Sequence, residues 1–510
     1  MWIDDEIELL RPHIMFLEER GYKITPVPNA EDGLTLIKKN NFDLILLDEM
    51  LHGMDGLTAL GEIKEFNSSL PVIMITKSEG ELLMDEAIGS RIDDYLTKPV
   101  NPSQILLACK KILDGRKIER EKLSRDYAQD FQKIVSRLMT PLDVEDWINV
   151  YLRITDWELE LDTHHGLGLR QTLFSQKREC NLAFARFVED NYVNWVNSSE
   201  RPTLSMDVVK KHVLPEIAKG KKVVFVIVDN LRVDQWLAME PLLYQNYQIF
   251  KDYYFSILPT ATPYSRNAIF SGLSPFQMSE EFPKLWGVDD KNESSFNRFE
   301  HRFLESQLNR FGMKDISMKY VKIIESNEAK NLYKNINSYS KAPLLAVVFN
   351  FIDFLAHSRS DSEVLKEIAP DESAFRSLTK SWFEHSIFLK ILSKLAKLGN
   401  TIIITSDHGS IRSLRGAKVI GDRETSTNLR YKFGKSLKCD PKYAINIKKP
   451  VDYQLPQKGI NTNYLIAKED YYFVYPTDYH HYLNYYKDTF QHGGVSMEEV
   501  ILPVIKLEAK

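Results

Sequence analysis

Cysteine is scarce: three residues in 510, Cys109, Cys180 and Cys439, with no Cys-x-x-Cys spacing among them. That excludes a disulfide framework and a thiolate zinc finger, and it fits a reducing compartment. No apolar run reaches the length of a membrane span, and the opening MWIDDE is acidic where a signal peptide would be basic. A soluble, cytoplasmic protein without membrane insertion is therefore expected. An excess of positive charge is also missing. The formal net charge of −5 excludes a globally basic nucleic-acid coat, though not a local basic groove. Internal repeats and low-complexity segments are not evident. What remains is an ordinary globular composition, 43% hydrophobic and 27% charged, over a length that suggests roughly three domains.

The first region, residues 1–115, alternates short apolar strands (Ile24–Val27, Leu44–Leu47, Val72–Ile75, Tyr95–Leu96) with helical stretches (Ile7–Glu19, Ala30–Lys39, Leu57–Phe66). Strands that are apolar throughout, separated by helices, predict a parallel sheet covered on both faces. Residues 116–204 lose the strand signal. Ile118, Phe131, Ile134, Val135 and Leu138 recur at helical spacing, as do Trp147, Val150 and Tyr151, then Leu182, Ala185, Val188, Tyr192 and Trp195. Pro141 ahead of Asp143, and Gly166 with Gly168, supply the breaks. A bundle of about three helices is expected, opening with the highly charged connector GRKIEREKLSRD. Over residues 205–510 the alternation returns, with buried-type strands at Lys222–Val228, Leu344–Phe351 and Thr401–Thr405, each running into acidic or histidine residues. In open α/β sheets ligands gather beyond the carboxyl ends of strands.

Two constellations follow from that placement. In the first region Asp4 and Asp5, Asp48, Thr76 and Lys98 each follow an apolar strand. Clustered carboxylates are most easily reconciled by a hard cation such as magnesium. An aspartate beside it can accept a phosphoryl group while lysine and metal neutralise the developing charge.

In the last region Asp229 ends VVFVIVD, Asp353 and His357 share one face if FNFIDFLAH turns helical, Asp407 and His408 follow TIIITS, and His492 opens HGGVSMEEVILPVI. Three aspartates and three histidines form the mixed donor set that zinc or manganese prefers. The threonines of LPTATPYSRNAIFSG precede a helix expected from Ser265; a hydroxyl at that junction would face a natural phosphate cradle. Arg266 has two readings, a ligand for a nonbridging phosphate oxygen or a solvated surface residue. His13, His52, His164, His165, His212, His301, His385, His480 and His481 lack such placement and are read as surface or packing residues.

The first region resembles the receiver domains of two-component response regulators, through Asp4-Asp5-Glu6, Asp48 in LLDEMLHGMDG, Thr76, Tyr95 and Lys98-Pro99. The resemblance implies that Asp48 is the phosphoacceptor. It also implies that Asp5 and the Met50 carbonyl hold magnesium together with Asp48, that Asp4 helps through water, and that Thr76 and Tyr95 form a switch with Lys98 nearby. A cis bond before Pro99 is expected. Two positions depart from the family pattern: His52 stands where proline is common, and Lys77 stands where a small residue is usual. Only Met1, Trp2 and Ile3 precede the acidic pair, so a very short first strand is expected.

The order Asp229, Thr262, Asp353-x-x-x-His357, Asp407-His408, His492 resembles the alkaline phosphatase superfamily, and PTATPYSRNAIFSG, SDHGS and HGGVSMEEVILPV are similar to its PglZ-domain branch. The resemblance assigns Asp229, Thr262, Asp407 and His408 to one metal, with Thr262 as nucleophile in preference to Thr260. It assigns Asp353, His357 and His492 to a second. Two zinc ions, manganese being an alternative, roughly 4 Å apart would stabilise an in-line displacement at phosphorus. The residues alone leave monoester and diester substrates open.

Gly421–Pro450 carries Arg423, Arg430, Lys432, Lys435, Lys438, Lys442, Lys448 and Lys449 interleaved with Tyr431, Phe433 and Tyr443. It reads either as a solvated insertion or as a surface for a nucleotide or short oligonucleotide.

The whole is an α/β multidomain chain: an N-terminal flavodoxin-like receiver, a central helical bundle and a C-terminal alkaline-phosphatase-like α/β domain. That order resembles a family of response regulators associated with type IX secretion. The resemblance implies a sensor histidine kinase, an extracytoplasmic-function sigma factor and a secretion motor component as partners. It further implies a homodimer on phosphorylation and zinc-dependent phosphodiesterase activity on nucleotides. The alternative is a non-enzymatic signalling adaptor whose zinc is structural.

Overall fold

The computed structural model describes residues 1–77, 92–164, 168–286, 297–421, 428–457, 459 and 461–510, and these divide into two units, Met1–Gln129 and Asp130–Lys510. Gly166, His165 and Arg423 lie outside the described residues.

In the first unit, Trp2–Ile3 (β1), Pro26–Val27 (β2), Ile45–Asp48 (β3), Val72–Thr76 (β4) and Asp94–Thr97 (β5) pair in parallel in the order β2-β1-β3-β4-β5. This doubly wound order places its ligand site beyond the carboxyl ends, next to β1 and β3. The helices α1 (Arg11–Glu18), α2 (Ala30–Lys39), α3 (Gly56–Phe66) and α4 (Pro102–Leu113) start where capping residues dictate. The Asn29, Asp55 and Asn101 side chains accept from the backbone N–H of Asp32, Thr58 and Gln104. Two apolar clusters, one containing Ile3, Ile45 and Leu47 and the other Trp2, Leu46 and Ile73, cover the two faces of the sheet. Fully burying one such side chain stabilises the fold by about 1.5–3 kcal/mol. The first strand is two residues long, as its sequence requires. The first helix begins at Arg11 rather than Ile7, because the carboxylate of Asp4 accepts from Glu6 N–H and holds the chain in turns there.

Three helices occupy the middle of the chain: α5 (Gly115–Leu138), α6 (Val144–Thr163) and α7 (Leu169–Asn197). Asp143 caps α6 reciprocally with Asp146, in the position that Pro141 marks. α6 and α7 belong to the larger unit, where Trp147 packs edge-on to Phe184 and Phe184 in turn meets Phe255.

The strands of the larger unit are β6 (Val223–Val228), β7 (Tyr247–Phe255), β8 (Met318–Ile323), β9 (Leu344–Phe349), β10 (Thr401–Thr405), β11 (Ile411–Ser413), β12 (Arg415–Lys418), β13 (Tyr431–Lys435), β14 (Ala444–Ile447), β15 (Thr462–Ala467), β16 (Tyr471–Val474), β17 (Thr489–Gln491) and β18 (Ile501–Ala509). Its main sheet runs β7-β18-β10-β6-β9-β8; β10, β6, β9 and β8 are parallel, and β18 is antiparallel to both neighbours. The register sets Thr405 beside Ile227 and Val228 beside Phe349, so three strands end level. The helices that carry site residues are α8 (Val233–Met239), α9 (Thr262–Ser271), α10 (Glu300–Arg310), α11 (Phe351–Asp361), α12 (Glu372–His385) and α13 (Met497–Val500). The helix expected from Ser265 begins at Thr262, since Pro263 fits a first turn that needs no N–H donor.

Candidate active site

Four polar groups meet at the carboxyl edge of the receiver sheet. Asp4 and Asp48 are buried, and Asp5 beside them offers an oxygen to the same cluster. The Lys98 ammonium bridges Asp4 at 2.9 Å and Asp48 at 3.0 Å, and the Lys98–Pro99 bond is cis as expected. Burial pushes the Asp48 carboxyl up to about 6; Lys98 pulls it down, while Asp4 and Asp5 raise it further. One ammonium thus faces three carboxylates, and a divalent cation would balance the remainder. The donor set fits magnesium, with Met50 lining the same open pocket as Asp5 and Asp48. Thr76 is fully buried and its hydroxyl donates to Glu49, while Tyr95 on β5 is partly buried. His52, read as a surface residue, is exposed but reaches the carboxylate of Asp5. Sequence alone gave no hint of that contact.

In the larger unit the level strand ends deliver the second constellation. Asp229 follows β6, Asp407 and His408 follow β10, and Asp353 and His357 lie one turn apart on α11, which begins just after β9. Two ligand clusters result, Asp229 with Asp407 and His408, and Asp353 with His408 and His492. His408 stands in both. Its ring stacks on that of His492 with centroids 4.1 Å apart. His357 sits at the margin: half exposed, its Nε2 is 3.5 Å from Asp353 Oδ1 and its ring 5.6 Å from that of His492.

Whether these groups suit cations can be read from what they lack. Asp229 Oδ1 and Asp407 Oδ2 are buried without a hydrogen-bond partner, an expensive condition for carboxylate oxygens. Burial and the nearby Asp229 push Asp407 well up. Burial also raises Asp353, to about 6, and Asp229 adds to the rise. Burial holds both imidazoles below their usual range, most strongly at His492, where His408 and His357 add to it. Neutral rings and crowded acids are what divalent cations relieve. The His408 Nδ1 lies 3.2 Å from the Gly409 carbonyl, which directs the proton there and leaves the Nε2 lone pair toward the cluster. The donor set fits zinc.

Thr262 is the first residue of α9, partly buried, with Oγ1 at 2.9 Å from His408 Nε2. Thr260 is spent elsewhere: fully buried, its hydroxyl donates to the Gly494 carbonyl at 2.8 Å and accepts from Gly493 N–H. Arg266 needs correction on its surface reading. It is 2% exposed and donates to Asp229 Oδ2 and Glu300 Oε1, each at 2.7 Å. Burial would raise Asp229, but Arg266, together with His408 and Lys322, keeps it below the usual carboxylate range.

The basic segment is corrected likewise. Arg430 and Lys432 are buried, with Arg430 Nε at 3.0 Å from Glu499. Lys435, Lys438, Lys442, Lys448 and Lys449 remain exposed. Two site residues escaped the sequence reading. Asn230 turns at φ +64° so that its amide meets Asp353 Oδ1 at 3.2 Å, and Glu300 anchors Arg266. An asparagine directly after a strand-end aspartate was a signal for the first, because asparagine tolerates a left-handed backbone. No pattern marked the second.

Three family models match successive parts of the chain. The model for the BREX system PglZ alkaline phosphatase-like domain matches residues 208–507, that for the PorX response regulator linker domain 117–196, and that for the response regulator receiver domain 1–110. With more than half of its length matched, the chain belongs to the PglZ alkaline phosphatase-like family. The receiver and linker in front of that domain give it the architecture of a PorX-type response regulator.

The transcriptional regulatory protein SrrA of Staphylococcus aureus is 32% identical over 128 residues, 25% of this chain; the chain spans about half the length of that relative, 53%. A CheY-like receiver from Methanospirillum hungatei is 29% identical with TM-score 0.22, covering 23% of this chain and 94% of its own. The receiver of NtrX from Brucella abortus is 28% identical with TM-score 0.21, covering 22% and 96%. Among the described residues no helix is long and apolar enough to cross a membrane.

Proposed function

We propose that the chain is a phosphorylation-controlled phosphoesterase. Asp48 accepts a phosphoryl group from a sensor histidine kinase, with Asp4, Asp5 and the Met50 carbonyl around its magnesium. The C-terminal domain hydrolyses phosphate esters, nucleotide diesters in particular, through Thr262. Asp229, Thr262, Asp407 and His408 would hold one zinc ion, and Asp353, His357 and His492 the other. The observation that carries the reading is Thr262 Oγ1 at 2.9 Å from His408, the imidazole shared by both ligand clusters.

Bound cations would stabilise charge on the attacking and departing oxygens. Thr262 Oγ1 forms the new bond to phosphorus as the bond to the leaving alcohol breaks, and the alcohol departs with a proton. Water then displaces Thr262 from phosphorus and returns a proton to its hydroxyl. Arg266 holds Asp229 in place through both steps. The exposed lysines between Lys435 and Lys449 are the part of the basic segment left open to an anionic substrate.

The sequence resemblance to response regulators associated with type IX secretion extends the proposal to control of that secretion, with an extracytoplasmic-function sigma factor and a secretion motor component as partners and a phosphorylation-dependent homodimer as the active assembly. The test is metal analysis of purified protein with a screen of nucleotide monoesters and diesters. The parent is expected to turn over diesters, and Thr262→Val is expected to keep its metal and lose turnover. A parent that carries metal and hydrolyses nothing would leave a signalling adaptor.

A further inference from the structure

Helix α7 lies outside the main sheet, yet two of its side chains reach toward the metal loops. Lys177 is 5% exposed, and its ammonium lies 2.9 Å from Glu158 of α6, 3.1 Å from Glu372 of α12 and 2.8 Å from Glu498 of α13. One turn further along α7, Asn181 accepts from Met497 N–H at 2.8 Å and donates to Glu498 Oε2 at 3.0 Å. Both residues therefore grip the single turn Met497–Val500.

That turn touches both histidine loops. The Glu499 side chain accepts from Gly494 N–H at 2.9 Å, two residues after His492. The Glu499 carbonyl accepts from Gly409 N–H at 3.3 Å, one residue after His408. A Cβ at Gly409 would collide with the Glu498 carbonyl oxygen, so the two segments are in closest backbone contact there. A second route runs through Glu372, 3.4 Å from Arg232, whose guanidinium donates to the Ser410 carbonyl at 3.2 Å. Moving α7 would pull a buried ammonium away from the three carboxylates that pair with it, so helix and turn shift together or not at all.

We propose that Lys177 and Asn181 are positioning residues of the metal centre: through Glu498 they fix where His408 and His492 stand. The helical region is then part of the metal-binding machinery and a handle by which its geometry can be regulated. This rests on the metal-ligand assignment above, and on that part of it only.

The test uses the full chain loaded with zinc, and separately with cobalt(II). Metal affinity is measured by chelator competition and ligand geometry by the cobalt absorption spectrum. Lys177→Met and Asn181→Ala are expected to weaken affinity by about ten- to a hundredfold and to shift the cobalt bands. Lys177→Arg should restore much of both. Leu182→Ala, at an exposed position of the same helix, should change neither. If Lys177→Met does not fold, Asn181→Ala, which strands no charge, decides the matter.

Variants that melt earlier but keep parental affinity and spectrum would overturn the proposal and leave α7 a stability anchor. A parent that binds metal without hydrolysing any ester would remove the esterase reading and leave this one standing.

Discussion

Arg266 donates to one oxygen of Asp229 across 2.7 Å, while the other oxygen of the same buried carboxylate has no hydrogen-bond partner. One oxygen is held by a protein cation, and the other lies in a cluster with Asp407 and His408. One oxygen fixes the orientation; the other is free to ligate.

Removing that guanidinium leaves the buried Asp229 and Glu300 without the cation they share, with Lys322 still 3.6 Å from Glu300. Arg266→Met is therefore expected to lose about 3–5 kcal/mol of stability, with a smaller loss for Arg266→Lys, which keeps the charge but not the two-pronged geometry. Urea unfolding of metal-free protein measures both. A loss below about 1 kcal/mol for the methionine variant would contradict the burial argument.

In the receiver, Lys98 separates two carboxylates that would otherwise face each other, Asp4 and Asp48. Lys98→Met should leave magnesium binding intact or tighter, because a positive competitor is gone. Phosphorylation of Asp48 by a small-molecule phosphodonor should slow by about a hundredfold, since the lysine's share of charge stabilisation in the transition state is lost. Electrophoretic separation of the phosphorylated form over time gives the rate. Unchanged phosphorylation would contradict the role.

Glu216 offers a pH test away from any metal. Burial would raise its carboxyl, but the ammonium groups of Lys219 at 2.8 Å and Lys221 at 2.7 Å outweigh burial and hold it at about 2. The unfolded chain binds the proton first, near 4.5. The contribution is thus complete above about 4.5 and is lost as pH falls toward 2. Discounted for screening, it is on the order of 1 kcal/mol. Glu216→Gln should lower stability at pH 7 and converge with the parent in acid. Parallel stability curves down to pH 2 would contradict this.

The strand ends were legible because each acidic ligand follows a run of buried-type apolar residues, as at Asp229 after β6 and Asp407 after β10. Thr262 was legible only through resemblance, since Thr260 has the same chemistry two residues away. What separates them is long-range: Thr260 is bonded to the glycines after His492, more than two hundred residues later. The same reason hid Glu300, Lys177 and Glu498. Each is an unremarkable charge in a helix, and its meaning comes from a partner far along the chain. The start of α9 was misjudged by three residues even though Pro263 was a local sign of a first turn.

In the proposed reaction Thr262 is the group that attacks phosphorus. Acid quenching of zinc-loaded protein during turnover of a diester, followed by mass spectrometry of the peptide spanning Thr260 and Thr262, tests it most directly. A nucleotidyl adduct on Thr262, phosphorus still carrying the alcohol that has not left, retained in Thr260→Val and lost in Thr262→Val, is the predicted result. Turnover that persists in Thr262→Val, or an adduct confined to Thr260, would contradict it.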